Sequence, residues 1–499
     1  MTENTPVAPP LFVPTKAHQS AVLLLTTVGT LMVAVDSTIV ILALPTMGKE
    51  LVSPLSTIIW TILIYLLITA ALTTQAGRLG DMFGRGPVYN AGFAVFTIGS
   101  ALSGFSPNAT ILIAARAIQA IGGALVFANS SALIATVFPP EARGRAFGYL
   151  VFGWSVGAIL GILLGGVITT ALGWRYIFFI NIPIGIVAVA VGMRSLPRTS
   201  REPTEFDPVG FALFSAMLTL ICYGLIELAV YGTTALNIAY VVVGALLAPL
   251  FVFAELRTRH PMLELGTLRN RLLGFALLSS LLQALGYLSV VFLLTMYLQG
   301  LRGLSPLNAS LLLVPGYLLG AVAGPSMGRF INRWGTRALA TGGILLMGGA
   351  VIAYSTLGLH SWLGWIPAIS LLSGFGSGMF YPANNTAIMG QASPHTFGAI
   401  SGLRATLSNI GTLLSLVLAL TIAAASIPRA LAYEVFLGTT NLVGGIGGDF
   451  LTGIRAALLG SAGILAIAAA LSWSRGRDPT RTSTTARPRG APPLAPGEP

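Results

Sequence analysis

The stretch GRLGDMFGRG, residues 77–86, sets two arginines, an aspartate and four glycines between STIIWTILIYLLITAALTTQA and PVYNAGFAVFTIGSALSGF. Each flanking run is about 20 residues of nearly pure apolar character, the length an α-helix needs to cross the hydrocarbon of a bilayer. Charge in such a setting belongs where water reaches it. The decapeptide therefore reads as a tight connection at the membrane boundary between two spanning helices.

The whole chain has the same character. Of its 499 residues 55% are hydrophobic and 8% charged, with a mean hydropathy of +0.84, whereas a soluble domain carries about 25% charged residues. Apolar runs separated by polar, glycine or proline punctuation number about fourteen. They centre on Met32, Tyr65, Phe96, Val126, Ala158, Val187, Leu218, Leu246, Leu285, Gly320, Met347, Met379, Thr412 and Ile464. An even number returns both termini to one side. The loops on that side hold Lys16, Arg78, Arg85, Arg143, Arg145, Arg194, Arg198, Arg201, Arg257, Arg259, Arg269, Arg271, Arg329, Arg333 and Arg337, against Lys49, Arg175, Arg302, Arg429 and Arg455 on the other. By the positive-inside rule this predicts a multi-pass protein of the cell membrane with both termini cytoplasmic. The net charge of +12 then reflects topology and contact with the lipid bilayer, and calls for no nucleic acid. Residues 1–19, rich in proline, read as a cytoplasmic lead-in and not as a signal peptide. Residues 475–499 read as a disordered basic tail. The single cysteine, Cys222, excludes an internal disulfide and a cysteine-based metal cluster.

The opening decapeptide returns in altered form as GRFINRWGTR, residues 328–337. Gly77 matches Gly328, Arg78 matches Arg329, Gly84 matches Gly335, and Asp81 gives way to Asn332. Two related six-helix halves follow, over 20–196 and 272–474, since repeated halves are a common plan of membrane carriers. Between them, 197–271 holds a basic linker and two extra spans. The predicted fold is an all-α membrane protein of two six-helix halves plus two central helices.

Within the apolar runs charge is scarce and therefore informative. Asp36 falls in the first span and Arg116 in the fourth, and ionisable groups at membrane depth default to functional candidates. A carboxylate there can load and release a proton if burial favours its neutral form and a movable cation its charged form. A static ion pair is the alternative. Arg404 opens the thirteenth span and reads as reaching back to the interface, and Glu227 reads as solvated. In the loop, Gly77 and Gly84 permit a tight connection, and Asp81 can accept hydrogen bonds from Arg85. Together with Arg78, Asn332 and Arg333 they form a candidate cytoplasmic gate, a purely topological turn being the alternative. GWSVGAILGILLGG puts Gly153, Gly157, Gly161 and Gly165 on one helix face, fit for close packing. Tyr65, Trp154, Gln283, Tyr287, Tyr317, Phe380, Asn384 and Asn385 are candidates for a substrate cavity built on stacking and a few hydrogen bonds.

With these residues in hand, the chain resembles the major facilitator superfamily, and within it the fourteen-helix drug:proton antiporters. GRLGDMFGRG resembles the signature between the second and third helices. DSTIVILALP from Asp36, LIAARAIQAIGGA around Arg116, WRYIFFINIPIG from Trp174 and YLQGLRGLSPLNASLLLVPG from Tyr297 resemble motifs of that branch. Ile162 stands where the branch carries a proline, which departs from its antiport motif. The resemblance implies a major facilitator fold that exports small lipophilic molecules against protons by alternating access; the residue reading adds Asp36 and Arg116 as the expected proton-coupling pair and a monomer as the expected state, the oligomeric state being left open.

The absences agree. There is no G-x-x-x-x-G-K-[ST] and no H-E-x-x-H, and His18, His260, His360 and His395 are scattered, so neither an ATPase, an enzyme nor a cofactor is expected. With Asp36 as the one central acid, neutral or singly cationic amphipathic substrates are expected and dications disfavoured. An exporter of an endogenous metabolite, an uncoupled facilitator and a non-transporting sensor are the other readings.

Overall fold

The computed structural model describes residues 15–197, 207–258, 270–391, 397–426 and 446–476, together with 261, 263 and 266. Every regular element among them is helical. The first half comprises α1 (Lys16–Glu50), α2 (Trp60–Phe83), α3 (Arg85–Gly104), α4 (Ala109–Val137), α5 (Pro140–Ala171) and α6 (Asn181–Ser195). The central pair is α7 (Pro208–Tyr231) and α8 (Ala235–Arg257). In the second half α9 starts as Arg271–Tyr287 and runs on through Val290–Thr295 into a π-helical turn, Met296–Leu301. Pro306–Ser355 is broken at Gly335, giving α10 before the break and α11 after it. They are followed by α12 (Trp365–Met389), α13 (Phe397–Ala425) and α14 (Ile446–Ser474).

By length and composition 12 of these helices can cross a membrane. The other two, α3 and α12, are glycine-rich and less apolar, but their 20 and 25 residues are of spanning length. The fourteen helices meet the sequence expectation, with α1 beginning at Lys16 instead of near residue 20. Helix starts follow capping chemistry, since an unpaired first-turn N–H is costly away from water. Thr15 accepts from the His18 amide, Asn108 from that of Ile111 and Asp207 from that of Gly210. Hydroxyls buried in the apolar runs, such as those of Thr26, Thr30 and Thr69, donate to carbonyls one turn back and so are satisfied without water.

The internal repeat seen in the sequence is reproduced in three dimensions. Gly84, at the α2–α3 turn, has φ 97°, and Gly335, at the α10–α11 turn, has φ 83°. Gly157 of α5 lies over the Leu31 carbonyl and Ala34 of α1, and Gly411 of α13 lies over the Leu281 carbonyl and Ala284 of α9. The halves meet along two seams of matching kind. On one, Gly166 of α5 closes against Pro306 and Ser310 of α10. On the other, the hydroxyls of Thr74 on α2 and Thr406 on α13 stand 2.8 Å apart. The pair α7–α8 packs on itself and, through α7, on α13 and α2, so it is an addition at the periphery and not part of the repeat.

Gly84 and Gly335 hold backbone conformations that a side chain strains by about 1–3 kcal/mol. Gly84→Val and Gly335→Val should each lower the melting temperature of the detergent-purified protein, read by loss of the monodisperse chromatographic peak. Unchanged melting for either variant would contradict the turn assignment.

Candidate functional site

Close helix packing builds the site. On α3, a side chain at Gly92 or Gly99 would run into the α4 backbone, as one at Gly122 would into that of Phe96. The α3 and α4 backbones therefore touch, and Ser100 comes beside Gln119. On the other flank the glycines of α5 seat on the backbone of α1 from Thr27 to Ile39, with Gly161 against Val35, and so fix the turn of α1 that carries Asp36. Through the position of the expected proline α5 is unbroken, and Ile162 is fully buried.

At the meeting point Asp36 and Arg116 are both buried and paired, Nη1 to Oδ2 at 2.7 Å. Arg116 Nη1 also donates to Gln119 Oε1 at 2.7 Å, and Arg116 Nε donates to the Thr61 carbonyl at 2.9 Å. The second Asp36 oxygen accepts from Gln119 Nε2 at 2.8 Å. Beneath the guanidinium lies the ring of Tyr65, 4.3 Å from its centroid, with Phe178 at 5.7 Å. Gln119 reaches on to Ser100 Oγ, which also accepts from Asn181 at 3.0 Å and donates to the Phe178 carbonyl at 2.9 Å. The two charges thus form a satisfied network inside one half, on α1 and α4, and do not face each other across an open space. Tyr65, expected in the substrate cavity, is buried as part of this network. The sequence reading missed Gln119, Ser100 and Asn181. Their signal was an amide three residues from Arg116 on one helix face and polar groups inside apolar runs.

At the α2–α3 turn Asp81 Oδ1 accepts from Arg85 Nε at 2.8 Å. Arg85 also donates to the Ala132 carbonyl and the Thr136 hydroxyl at the end of α4. Arg78 donates to the carbonyl of Pro261, in the segment after α8. These contacts tie the turn to its own half and to the segment leaving the central pair. In the second copy Arg333 is exposed, and the side chain of Asn332 lies outside the described residues.

Residues 26–416 match the Major Facilitator Superfamily. The chain belongs to that superfamily. It is therefore a transporter and not an enzyme, and it resides in a membrane. The chain is similar to the riboflavin transporter RibZ of Clostridioides difficile, with 29% identity over 391 residues, 78% of this chain and 85% of that one. It is similar to the tetracenomycin C resistance and export protein of Streptomyces glaucescens, with 31% identity over 396 residues, 78% and 73% of the two chains. Among solved structures, the human organic anion transporter MFSD10 shares the fold at a TM-score of 0.61 and 16% identity, over 91% of this chain and 99% of that one.

The second half of this superfamily member places the remaining candidates. Asn384 is buried and donates to the Ala276 carbonyl and Ser280 of α9, while its oxygen accepts from Arg475 Nη1 at 2.9 Å. Arg475, which the sequence assigns to the disordered tail, is buried at the end of α14 and also reaches Thr336 of α11 at 2.7 Å. Asn384 is thus a junction of four helices and not a cavity wall. Phe380 and Gln283 are buried in the half, Gln283 against the Met347 sulfur. Tyr287, Tyr317 and Asn385 are half-buried. Trp154, 41% exposed, packs against Phe127 with ring centroids 5.5 Å apart and planes tilted by 57°. Arg404 is half-buried and stands two residues inside the apolar stretch Gly402–Ala423 of α13, at the start of that span as the sequence reading placed it.

Arg116→Ala strands a buried carboxylate, which costs about 3–5 kcal/mol. The variant should melt well below the wild type in detergent, and adding Asp36→Asn should recover part of the loss. A double variant no more stable than Arg116→Ala alone would contradict the pairing.

Proposed function

We propose that this superfamily member is a proton-coupled exporter of amphipathic, lipophilic compounds, of the fourteen-helix drug:proton antiporter type, with both termini in the cytoplasm. The observation that carries the reading is the buried Asp36–Arg116–Gln119 network. Arg116 and Gln119 hold Asp36 through both of its carboxyl oxygens. Protonating it leaves Arg116 buried without its counter-charge, a state that costs several kcal/mol by itself. Proton loading is therefore favourable only if the helices carrying the two groups shift, or if water reaches them from one side. That condition is what links a proton to a change of access. The likeness to an antibiotic resistance and export protein supports drug export, and the likeness to a riboflavin transporter keeps an endogenous compound open as the alternative. The neutral or singly cationic substrates expected from the sequence relied on Asp36 being available to a cation. Both of its oxygens are engaged, so stacking on aromatic residues such as Trp154 carries the recognition of neutral compounds.

Asp36→Asn should lower the melting temperature and abolish substrate accumulation driven by an imposed pH gradient in everted vesicles, compared at matched amounts of inserted protein. Accumulation against a gradient by that variant would remove Asp36 from the coupling. An uncoupled facilitator would show flux in the wild type with no dependence on the gradient, and a sensor would show no flux.

The turn at Asp81 makes a second test. Asp81→Ala removes the charge-assisted bond to Arg85 and so loosens the anchorage of the turn on α4. It should reduce transport more than Asn332→Ala, where no charge is lost, and equal effects in initial-rate assays would reduce both loops to plain connections.

A further inference from the structure

At one end of the second half a cation stands over an apolar groove. Among the described residues the ion pairs join Asp36 to Arg116, Asp81 to Arg85 and Glu50 to Arg175, and Arg337 of α11 belongs to none of them. Its half-buried guanidinium lies over the ring of Trp473 of α14, 4.1 Å from the centroid. A guanidinium stacked in this way still presents N–H donors at the edge of its plane. Arg271, exposed at the same end of α14, donates to the Ser474 carbonyl and adds a second positive charge there.

Trp473 also walls the groove. Ala338, Gly342 and Leu345 of α11 form one side and Ala466, Ala470 and Trp473 of α14 the other, around a volume of about 470 Å³. Thr341 lines it too, but its hydroxyl is engaged by Ser472 at 3.0 Å, which leaves the lining apolar. α14 packs on helices of its own half and takes no part in the seams at Gly166 and Thr406, so the exposed Leu345 and Trp473 side chains meet lipid. From Ala338 to Leu345, and from Trp473 back to Ala466, each wall runs about 10 Å at 1.5 Å per residue. That is most of the ~15 Å of hydrocarbon in one leaflet.

The equivalent interface in the first half is filled. α11 and α14 are the third and sixth helices of their half, as α3 and α6 are of theirs. A side chain at Gly185 of α6 would run into Thr97 of α3, and one at Gly192 into Asn90. The duplicated scaffold thus leaves a slot at one of two matching places. Its length suits a hydrocarbon chain from one leaflet, and the arginine at its mouth calls for an anion.

We propose that the α11–α14 groove binds an anionic phospholipid of the surrounding bilayer, with one acyl chain along the groove and the headgroup phosphate on Arg337. The lipid completes the packing of α11 on α14, which in the first half the protein's own side chains complete. The site is independent of the Asp36 network and of the export reading.

The test uses the full chain in phosphatidylcholine vesicles that carry increasing fractions of phosphatidylglycerol or phosphatidylcholine brominated in the acyl chains. Bromine quenches tryptophan at contact, and measuring each protein with and without Trp473→Phe isolates Trp473 from the other tryptophans. The wild type should show about fivefold higher relative affinity for phosphatidylglycerol, the preference one arginine near an anionic headgroup supplies. Arg337→Gln should bring that ratio near one, and Arg337→Lys should keep it. Ala466→Phe, which puts a ring into the deep end of the groove, should also bring it near one with the arginine in place. Should Arg337→Gln fail to insert, about 1 M salt on the wild type screens the same contact and should lower the ratio likewise. A wild-type ratio near one overturns the site. An unchanged ratio in Arg337→Gln does so too, as does one in Ala466→Phe, where charge alone would then gather the lipid. Loss of quenching by both lipids as the protein-to-lipid ratio rises assigns the groove to a second copy of the chain and overturns it as well.

Discussion

A bilayer offers no water to a charge or a backbone amide, and that constraint organises this molecule. It forces the chain into helices, confines loops to the boundaries, and makes any ion pair at depth dependent on complete internal satisfaction. The Asp36–Arg116 pair meets the demand with an amide, a backbone carbonyl and an aromatic face. Close approach of the backbones, through glycines on α3, α4 and α5, is what brings these partners within reach. The packing and the electrostatics are one design: a methyl group at Gly99 would push Gln119 and Ser100 apart.

The two halves share a plan and differ in chemistry. Turn glycines and helix-packing glycines recur at equivalent places, so the scaffold is duplicated. The charges are not. The first half buries a paired acid and base between α1 and α4, and the second buries Arg475 against the Asn384 and Thr336 side chains. Duplication supplies two bodies that meet at seams near Gly166 and Thr406.

Much of the fold was legible because membrane insertion is governed by local composition. Runs of about 20 apolar residues, charge asymmetry between loops and a repeated glycine–arginine decapeptide are all one-dimensional signals. Asp36 and Arg116 were legible for the same reason, as rare charges in apolar runs. Gln119, Ser100 and Asn181 were not, since an amide or hydroxyl in a span has several cheap ways to be satisfied, and only the neighbouring helix decides which is used. Arg475 was misplaced because a basic tail and a buried guanidinium look alike until the residues that enclose it are known.

The sequence by itself determined the spans, the duplicated halves and the presence of a charged couple at depth, since each depends on how neighbouring residues partition between water and lipid. Only the tertiary structure decided that the couple is closed within one half and that Asn384 binds Arg475 instead of lining a cavity. Those outcomes depend on contacts between residues far apart in the chain, 91 positions for Asn384 and Arg475 and 80 for Asp36 and Arg116. No local free energy encodes them: they follow from which helices pack together and how closely glycine lets them approach.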